Sequence, residues 1–129
     1  MFPLLRRVVP VAVLVFAAQG SAWADAKLDV AMKQLAATSG CVACHSIESG
    51  KPGPAGVAPI GPAWQDVAAR YKGQEGVSEK LLKTVMEGSN PYASHWKGKV
   101  SGLAMPPNAV AIQEADARKL VQWILDLKQ

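Results

Sequence analysis

Two cysteines and a histidine lie close together in the stretch GCVACHS, residues 40–46. Two residues separate Cys41 from Cys44, and His45 follows directly. Thiols at this spacing can form a redox-active disulfide, supply half of a zinc site, or attach a haem covalently. Each of these chemistries needs different partners elsewhere in the chain, so the remaining sequence has to decide between them.

The order of the three side chains fits the C-x-x-C-H pattern that is typical of c-type haem attachment. In a tight helical turn the two thiols can reach the two vinyl groups on one edge of a porphyrin, while the adjacent imidazole faces the iron. We therefore predict that Cys41 and Cys44 bind one haem c covalently and that His45 ligates its iron.

The two rival chemistries find less support. A thioredoxin-like disulfide follows a β-strand and opens a helix, whereas the segment before Cys41 has a helical pattern. A structural zinc ion needs four ligands, and the chain offers Cys41, Cys44, His45 and the distant His95, without a second paired motif.

Four side chains could supply a second axial ligand to the iron. Met32 and Met86 lie on apolar helix faces, where a methionine is usually a core filler. Met105 instead lies in the loop sequence LAMPPNAV, and the two prolines after it stiffen the chain at a set distance. We predict Met105 as the second ligand. His95, in YASHWKG, stays as the alternative and would give a lower potential than a thioether.

Hydrophobic periodicity predicts an all-α protein, because no segment alternates in the manner of a strand. We expect Asp25 to cap the first helix, Pro62 to occupy the first turn of the second, and Lys128 to lie in the last turn of the fourth. Two long Gly- and Pro-rich loops need a flat apolar partner to pack on. The predicted helices span 26–39, 62–71, 78–87 and 113–128, and the loops span 46–61 and 89–110.

The first 24 residues have the three-part organisation of a secretory signal: Arg6 and Arg7, an apolar run over 8–18, and small residues around Ala24. The run is shorter than the roughly 20 residues of a membrane span. We predict cleavage after Ala24, a mature domain over 25–129, and a periplasmic protein without stable membrane insertion. Loss of the two arginines lowers the formal charge from +4 to +2, and no basic stripe suggests nucleic-acid binding.

Four motifs occur together in the order GCVACH, IGPAWQDVAARYKG, MPPNAV and DARKLVQWIL, between residues 27 and 127. In combination they resemble the small bacterial class I cytochromes c of the c-551/c-552 type. The resemblance implies a small class I cytochrome c fold with about four helices around one covalently bound haem. The segments before Pro62 and before Met105 are longer than in the smallest members of that family.

The resemblance also implies individual roles. His45 would be the proximal and Met105 the distal iron ligand. The Pro62 carbonyl would accept a hydrogen bond from the histidine Nδ1–H, which fixes the ring. Asn108 would hydrogen-bond near the axial sulfur, and Trp96 would contact a haem propionate.

These features together predict a monomeric, monohaem electron carrier rather than an enzyme, with transient docking to redox partner proteins. Two other functions remain open from the sequence. The chain could be a dedicated haem subunit of a periplasmic dehydrogenase, such as a sulfite-oxidising one, with the long loops as a stable interface. It could also be a haem sensor or peroxidase in which Met105 leaves the iron open.

Overall fold

The computed structural model describes residues 20–128, with side chains described from Asp25 onward. Over this range the chain has no β-strand and only one isolated bridge, between Lys97 and Val100. The prediction of an all-α class is therefore confirmed. The helices are α1 (Gly20–Thr38), α2 (Trp64–Tyr71), α3 (Val77–Glu87) and α4 (Glu114–Leu125), with short 3₁₀ turns at Cys41–Ala43 and Pro54–Gly56.

Helix α1 begins at Gly20, so the prediction that Asp25 caps it was wrong. No proline interrupts the sequence between Gly20 and Asp25, and the helix continues through the predicted cleavage point after Ala24. The earlier part of the predicted signal peptide, residues 1–19, lies outside the described residues. At its other end the helix stops before Gly40, whose φ of +77° is a left-handed conformation that glycine adopts without strain.

Helix α2 begins at Trp64, two residues later than predicted, and Pro62 therefore precedes the helix instead of occupying its first turn. The cause lies in the segment after the CVACH motif. The Ser46 carbonyl accepts the N–H of Trp64 at 2.9 Å, and the Ile47 carbonyl accepts the N–H of Gln65 at 3.0 Å. These bonds satisfy helix N–H groups that have no partner within the helix, and they fix α2 against the motif.

The C-terminal end of α3 agrees with the predicted one, whereas that of α4 does not. Helix α3 ends at Glu87, as predicted, and Gly88 follows it with a φ of +87°. Helix α4 ends at Leu125, so Lys128 lies beyond its last turn, contrary to the prediction. Gln113 precedes α4 in an extended conformation without a side-chain capping bond, as its weak capping propensity suggests.

Helix α4 packs against each of the other three helices and carries much of the core. Trp123 is 7 % exposed and meets the buried Trp64 of α2 edge-to-face, with ring centroids 5.8 Å apart. From α1 the core receives Met32 and Ala36, whereas Leu28, one helical turn before Met32, is half exposed. This packing fixes the ring of Trp64, which contacts the candidate site described next.

Candidate cofactor site

The CVACH motif forms a tight turn directly after α1. The N–H groups of Cys44 and His45 donate to the carbonyl of Cys41 at 3.3 and 3.1 Å. Neither Cys41 nor Cys44 is in a disulfide, so both thiols are free to react. Burial raises the pKa of the Cys41 thiol, which favours its protonated form. The turn thus presents two thiols and an imidazole within one short segment.

The His45 imidazole is held by Pro62, whose carbonyl oxygen lies 2.8 Å from Nδ1. A carbonyl can only accept, so Nδ1 carries the proton and the neutral ring keeps a lone pair on Nε2. Burial lowers the pKa of His45, although the bond to Pro62 partly opposes this change. The ring stacks on Trp64 with centroids 5.9 Å apart. A neutral imidazole with a free Nε2 is the form that binds metals.

Gly61 makes the close approach of this loop to the imidazole possible. A Cβ at Gly61 would lie 2.6 Å from His45 Cε1 and 2.8 Å from Nδ1, distances that real Cβ atoms essentially never show. Its N–H also donates to the Cys44 carbonyl at 2.8 Å. Gly61 was not predicted from the sequence, although its position in IGP, next to a predicted site residue, was a usable signal.

The predicted site residues surround a cavity of about 420 Å³, within the size range of small-molecule and cofactor pockets. Six of the seven line it: Cys41, Cys44, His45, Pro62, Trp96 and Met105. Asn108 does not line it. Apolar side chains from α2, α3 and α4 complete the wall, including Val67, Leu81, Val85, Leu120 and Ile124. Free thiols, an imidazole with an available nitrogen and an apolar wall are together what a covalently attached haem requires, so the residues fit that group.

Met105 differs from the other described methionines. Met32 is buried in the core and Met86 packs against it, and neither lines the cavity. Met105 is partly buried between exposed neighbours, and it does line the cavity. Its N–H donates to Ser89 Oγ at 2.8 Å, and its carbonyl accepts the Ser89 N–H at 2.9 Å.

Asn108 acts on the backbone of the loop that carries Met105. Its Nδ2 donates to the carbonyls of Pro106, at 2.6 Å, and Val85, at 3.3 Å. Its backbone N–H also donates to the Val85 carbonyl, at 3.0 Å. A bond from Asn108 near the Met105 sulfur stays a prediction, and the bonds described here tie the loop to α3.

The two long loops are joined beside the cavity. The N–H of Ser101 donates to the Pro59 carbonyl at 2.8 Å, and the N–H of Gly102 donates to the Ile60 carbonyl at 3.0 Å. A Cβ at Gly102 would lie 2.5 Å from the Ile60 oxygen. Neither Gly102 nor its partner was predicted, because a bond between residues 42 positions apart leaves no local pattern in the sequence.

Trp96 and His95 lie at the rim of the cavity. Trp96 is partly buried against the core, and Lys99 Nζ lies 5.7 Å from the centroid of its ring. His95 is exposed, and its Nε2 is 3.1 Å from Arg70 Nε and 3.3 Å from Lys99 Nζ. Desolvation and these two positive charges lower the pKa of His95. Because cations engage its ring nitrogen, His95 is a poorer candidate for an iron ligand than Met105.

A metal site of grouped His, Cys, Asp or Glu side chains and a membrane-spanning helix are both absent from the described residues. From residue 25 to 128, no three His, Cys, Asp or Glu side chains are grouped as a metal site would need. In the part of the chain that the structure describes, no helix is both long and apolar enough to cross a membrane.

A family model described as cytochrome c matches residues 30–128. Cytochrome c-551 of Allochromatium vinosum is 42% identical over 93 residues, covering 72% of this chain and 82% of its own length. Cytochrome c-551 of Pseudomonas aeruginosa is 34% identical over 119 residues, or 92% and 98% of the two chains. The crystal structure of Nitrosomonas europaea cytochrome c552 superposes with a TM-score of 0.56 at 33% identity, covering 74% of this chain and 99% of that one.

Proposed function

The chain belongs to the cytochrome c family, and from this membership we propose that it is a periplasmic one-electron carrier whose iron is held between His45 and Met105. The family binds haem c covalently, and the chain carries a single C-x-x-C-H motif, so it is a monohaem c-type electron carrier. Its location and its pair of axial ligands are the parts that we propose.

Bound haem supplies the one-electron couple, and the protein supplies attachment, orientation and an apolar surrounding. Cys41 and Cys44 would form the thioether links, because both thiols are free and line the cavity. Pro62 keeps the proton of His45 on Nδ1, which leaves the Nε2 lone pair for the metal. Met105 would add a thioether, a ligand that raises the reduction potential relative to a second imidazole.

One observation supports this pair of ligands above all others. His45 and Met105 line the same cavity, whereas the other described methionines, Met32 and Met86, do not. Met105→Ala should therefore remove the weak thioether-to-iron absorption band at the red end of the ferric spectrum and lower the reduction potential. Met86→Leu is the matched control. Leucine is similar in volume to methionine, and Met86 does not line the cavity, so the band and the potential should stay unchanged.

A visible spectrum and a redox titration of the three proteins test the assignment. If Met105→Ala keeps the band and the potential of the wild type, the ligand assignment is wrong. If the wild type itself lacks the band, Met105 does not ligate the iron. A high-spin ferric spectrum would then indicate an open iron, as in a haem sensor or peroxidase, and a low-spin spectrum would indicate ligation by His95, which also lines the cavity.

We further propose that the mature protein begins at Asp25 in the periplasm. The charged start, the apolar run over 8–18 and the small residues before Asp25 support this, and cleavage would leave the rest of α1 in place. Mass spectrometry of the protein from a periplasmic extract should give an N-terminus at Asp25. A large residue at the cleavage point, as in Ala24→Leu, should leave the precursor uncleaved. A wild-type protein that keeps residues 1–24 would contradict the proposal.

Docking to redox partners would be brief and would use the rim of the cavity. Leu103 lines the cavity and is nevertheless 86 % exposed, so it offers an apolar contact close to the cofactor. Transient redox complexes bury less than about 1,200 Å² in total. Purification without a stoichiometric partner and sedimentation as a monomer are the expected results. Stable co-purification with a larger chain would favour the dehydrogenase-subunit function instead.

A further inference from the structure

The C-terminal end of α3 makes several backbone contacts with the loop that carries Met105. Ser89 is bonded to Met105 in both directions: its N–H donates to the Met105 carbonyl at 2.9 Å, and its Oγ accepts the Met105 N–H at 2.8 Å. The two residues are 16 positions apart, and both are partly buried. The peptide on each side of Met105 Cα is therefore fixed to the same residue.

Gly88 allows this close approach. A Cβ at Gly88 would lie 2.9 Å from the Met105 carbonyl oxygen and 3.1 Å from the ring of Pro107. Its φ of +87° is also a conformation that residues with a side chain rarely adopt. The end of α3 is thus shaped to receive the backbone of the loop, and this shape brings the hydroxyl of Ser89 to Met105.

A second attachment lies three residues further along the loop. The backbone N–H and the Nδ2 of Asn108 both donate to the Val85 carbonyl, which belongs to the last turn of α3. The segment from Met105 to Asn108 is therefore anchored at both ends, on Ser89 just after α3 and on Val85 within α3. Of these anchors, the Ser89 hydroxyl is the one that holds Met105 itself through a side chain, so substitution can remove it while the backbone bonds remain.

We propose that Ser89 is a positioning residue that holds Met105 in place as an iron ligand. This inference rests on the proposed ligation by Met105. The hydroxyl oxygen accepts an N–H that would otherwise be partly buried without a partner, and this bond orders the backbone from which the thioether side chain extends. Without the hydroxyl, the Met105 side chain leaves the iron more often, and an external ligand competes with it more easily.

The test uses ferric holoprotein and imidazole as the competing ligand. Ser89→Ala should raise the apparent affinity for imidazole about fivefold, the factor that corresponds to one hydrogen bond, and should weaken the thioether-to-iron band. Ser89→Thr keeps a hydroxyl and should restore wild-type values. Ser49→Ala is the matched control: it also loses one hydroxyl hydrogen bond, to Asp66 at 2.6 Å, but Ser49 does not line the cavity.

The possible outcomes separate the two proposals. If Met105→Ala keeps the band, the ligation is wrong and Ser89 has no ligand to position. If Met105→Ala loses the band while Ser89→Ala binds imidazole as the wild type does, the ligation stands and the role of Ser89 is refuted. An equal effect of Ser49→Ala, or no recovery in Ser89→Thr, also refutes it. If Ser89→Ala folds poorly, hydrogen exchange of the Met105 amide in the folded fraction tests the role of Ser89 instead. Faster exchange is expected, because the hydroxyl accepts this N–H. Unchanged protection refutes the proposal.

Discussion

Replacing Gly61 by alanine tests the arrangement around His45 most directly. The new Cβ would lie 2.6 Å from Cε1 of the imidazole, whereas ordinary van der Waals contact begins at 3.4 Å. The ring must therefore move by about 0.8 Å, the difference between these two distances. That movement disturbs both the 2.8 Å bond between His45 and Pro62 and the stack on Trp64. Overpacking of this kind costs about 1–3 kcal/mol, and a lost hydrogen bond adds about 1 kcal/mol.

We expect Gly61→Ala to lower the free energy of unfolding of the holoprotein by about 2–4 kcal/mol, measured by guanidinium titration. Hydrogen exchange at Nδ1 of His45 in the ferrous protein should also become faster. The control is Gly73→Ala, where a Cβ meets nothing within 4 Å and only the left-handed backbone, φ +72°, adds strain of about 1–2 kcal/mol. If Gly61→Ala costs no more than Gly73→Ala and the exchange at Nδ1 is unchanged, the steric argument is refuted.

Two further substitutions test other contacts at the cavity. Gly102→Ala would place a Cβ 2.5 Å from the Ile60 oxygen, so the two loops must separate. We expect the free energy of unfolding in the guanidinium titration to fall by about 2–4 kcal/mol. A stability equal to that of the wild type would contradict this. Lys99→Met removes one of the charges that hold the pKa of His95 below its usual value, so that pKa should rise. An NMR titration of the His95 ring protons in the ferrous protein measures the shift, and an unchanged or lower pKa would contradict the assigned cause.

The helices could be predicted from the sequence because each buries one face. Trp64 and Val67 of α2 and Leu120 and Ile124 of α4 lie at helical spacing, and all four are buried. The ends of the helices were harder to predict, since tertiary bonds decide them. Helix α2 begins after Pro62 because its first N–H groups reach back to carbonyls at 46–47, and nothing in the local sequence signals that pairing.

In the candidate site, too, some residues could be predicted from the sequence and others could not. Cys41, Cys44 and His45 are adjacent in the sequence and form a motif, and Met105 stands out through the prolines that follow it. The residues that hold them do not form motifs. Ser89 and Gly102 act through bonds to residues that are 16 and 42 positions away, and a pairing of single residues at such separation leaves neither periodicity nor composition to detect.

These differences suggest that the two sides of the candidate iron site are held by different physical means. His45 is confined by sterics as well as by a hydrogen bond, because Gly61 and Trp64 both lie against its ring. Met105 stands between exposed neighbours, and the contacts described for it, the hydrogen bonds to Ser89 and the close approach of Gly88, act on its backbone and not on its side chain. A hydrogen bond contributes about 1 kcal/mol, whereas moving a packed ring costs more.

We therefore expect the loop that carries Met105 to open before the segment around His45 when the folded protein is destabilised. Local opening draws on the regions with the fewest buried contacts, and the segment around Met105 is such a region. In a guanidinium titration of the ferric protein, the thioether-to-iron band should therefore fade at lower denaturant than the far-ultraviolet signal of the helices. Coincident loss of the two signals would mean that the Met105 loop is as firmly held as the helices, and that the division between the two sides is wrong.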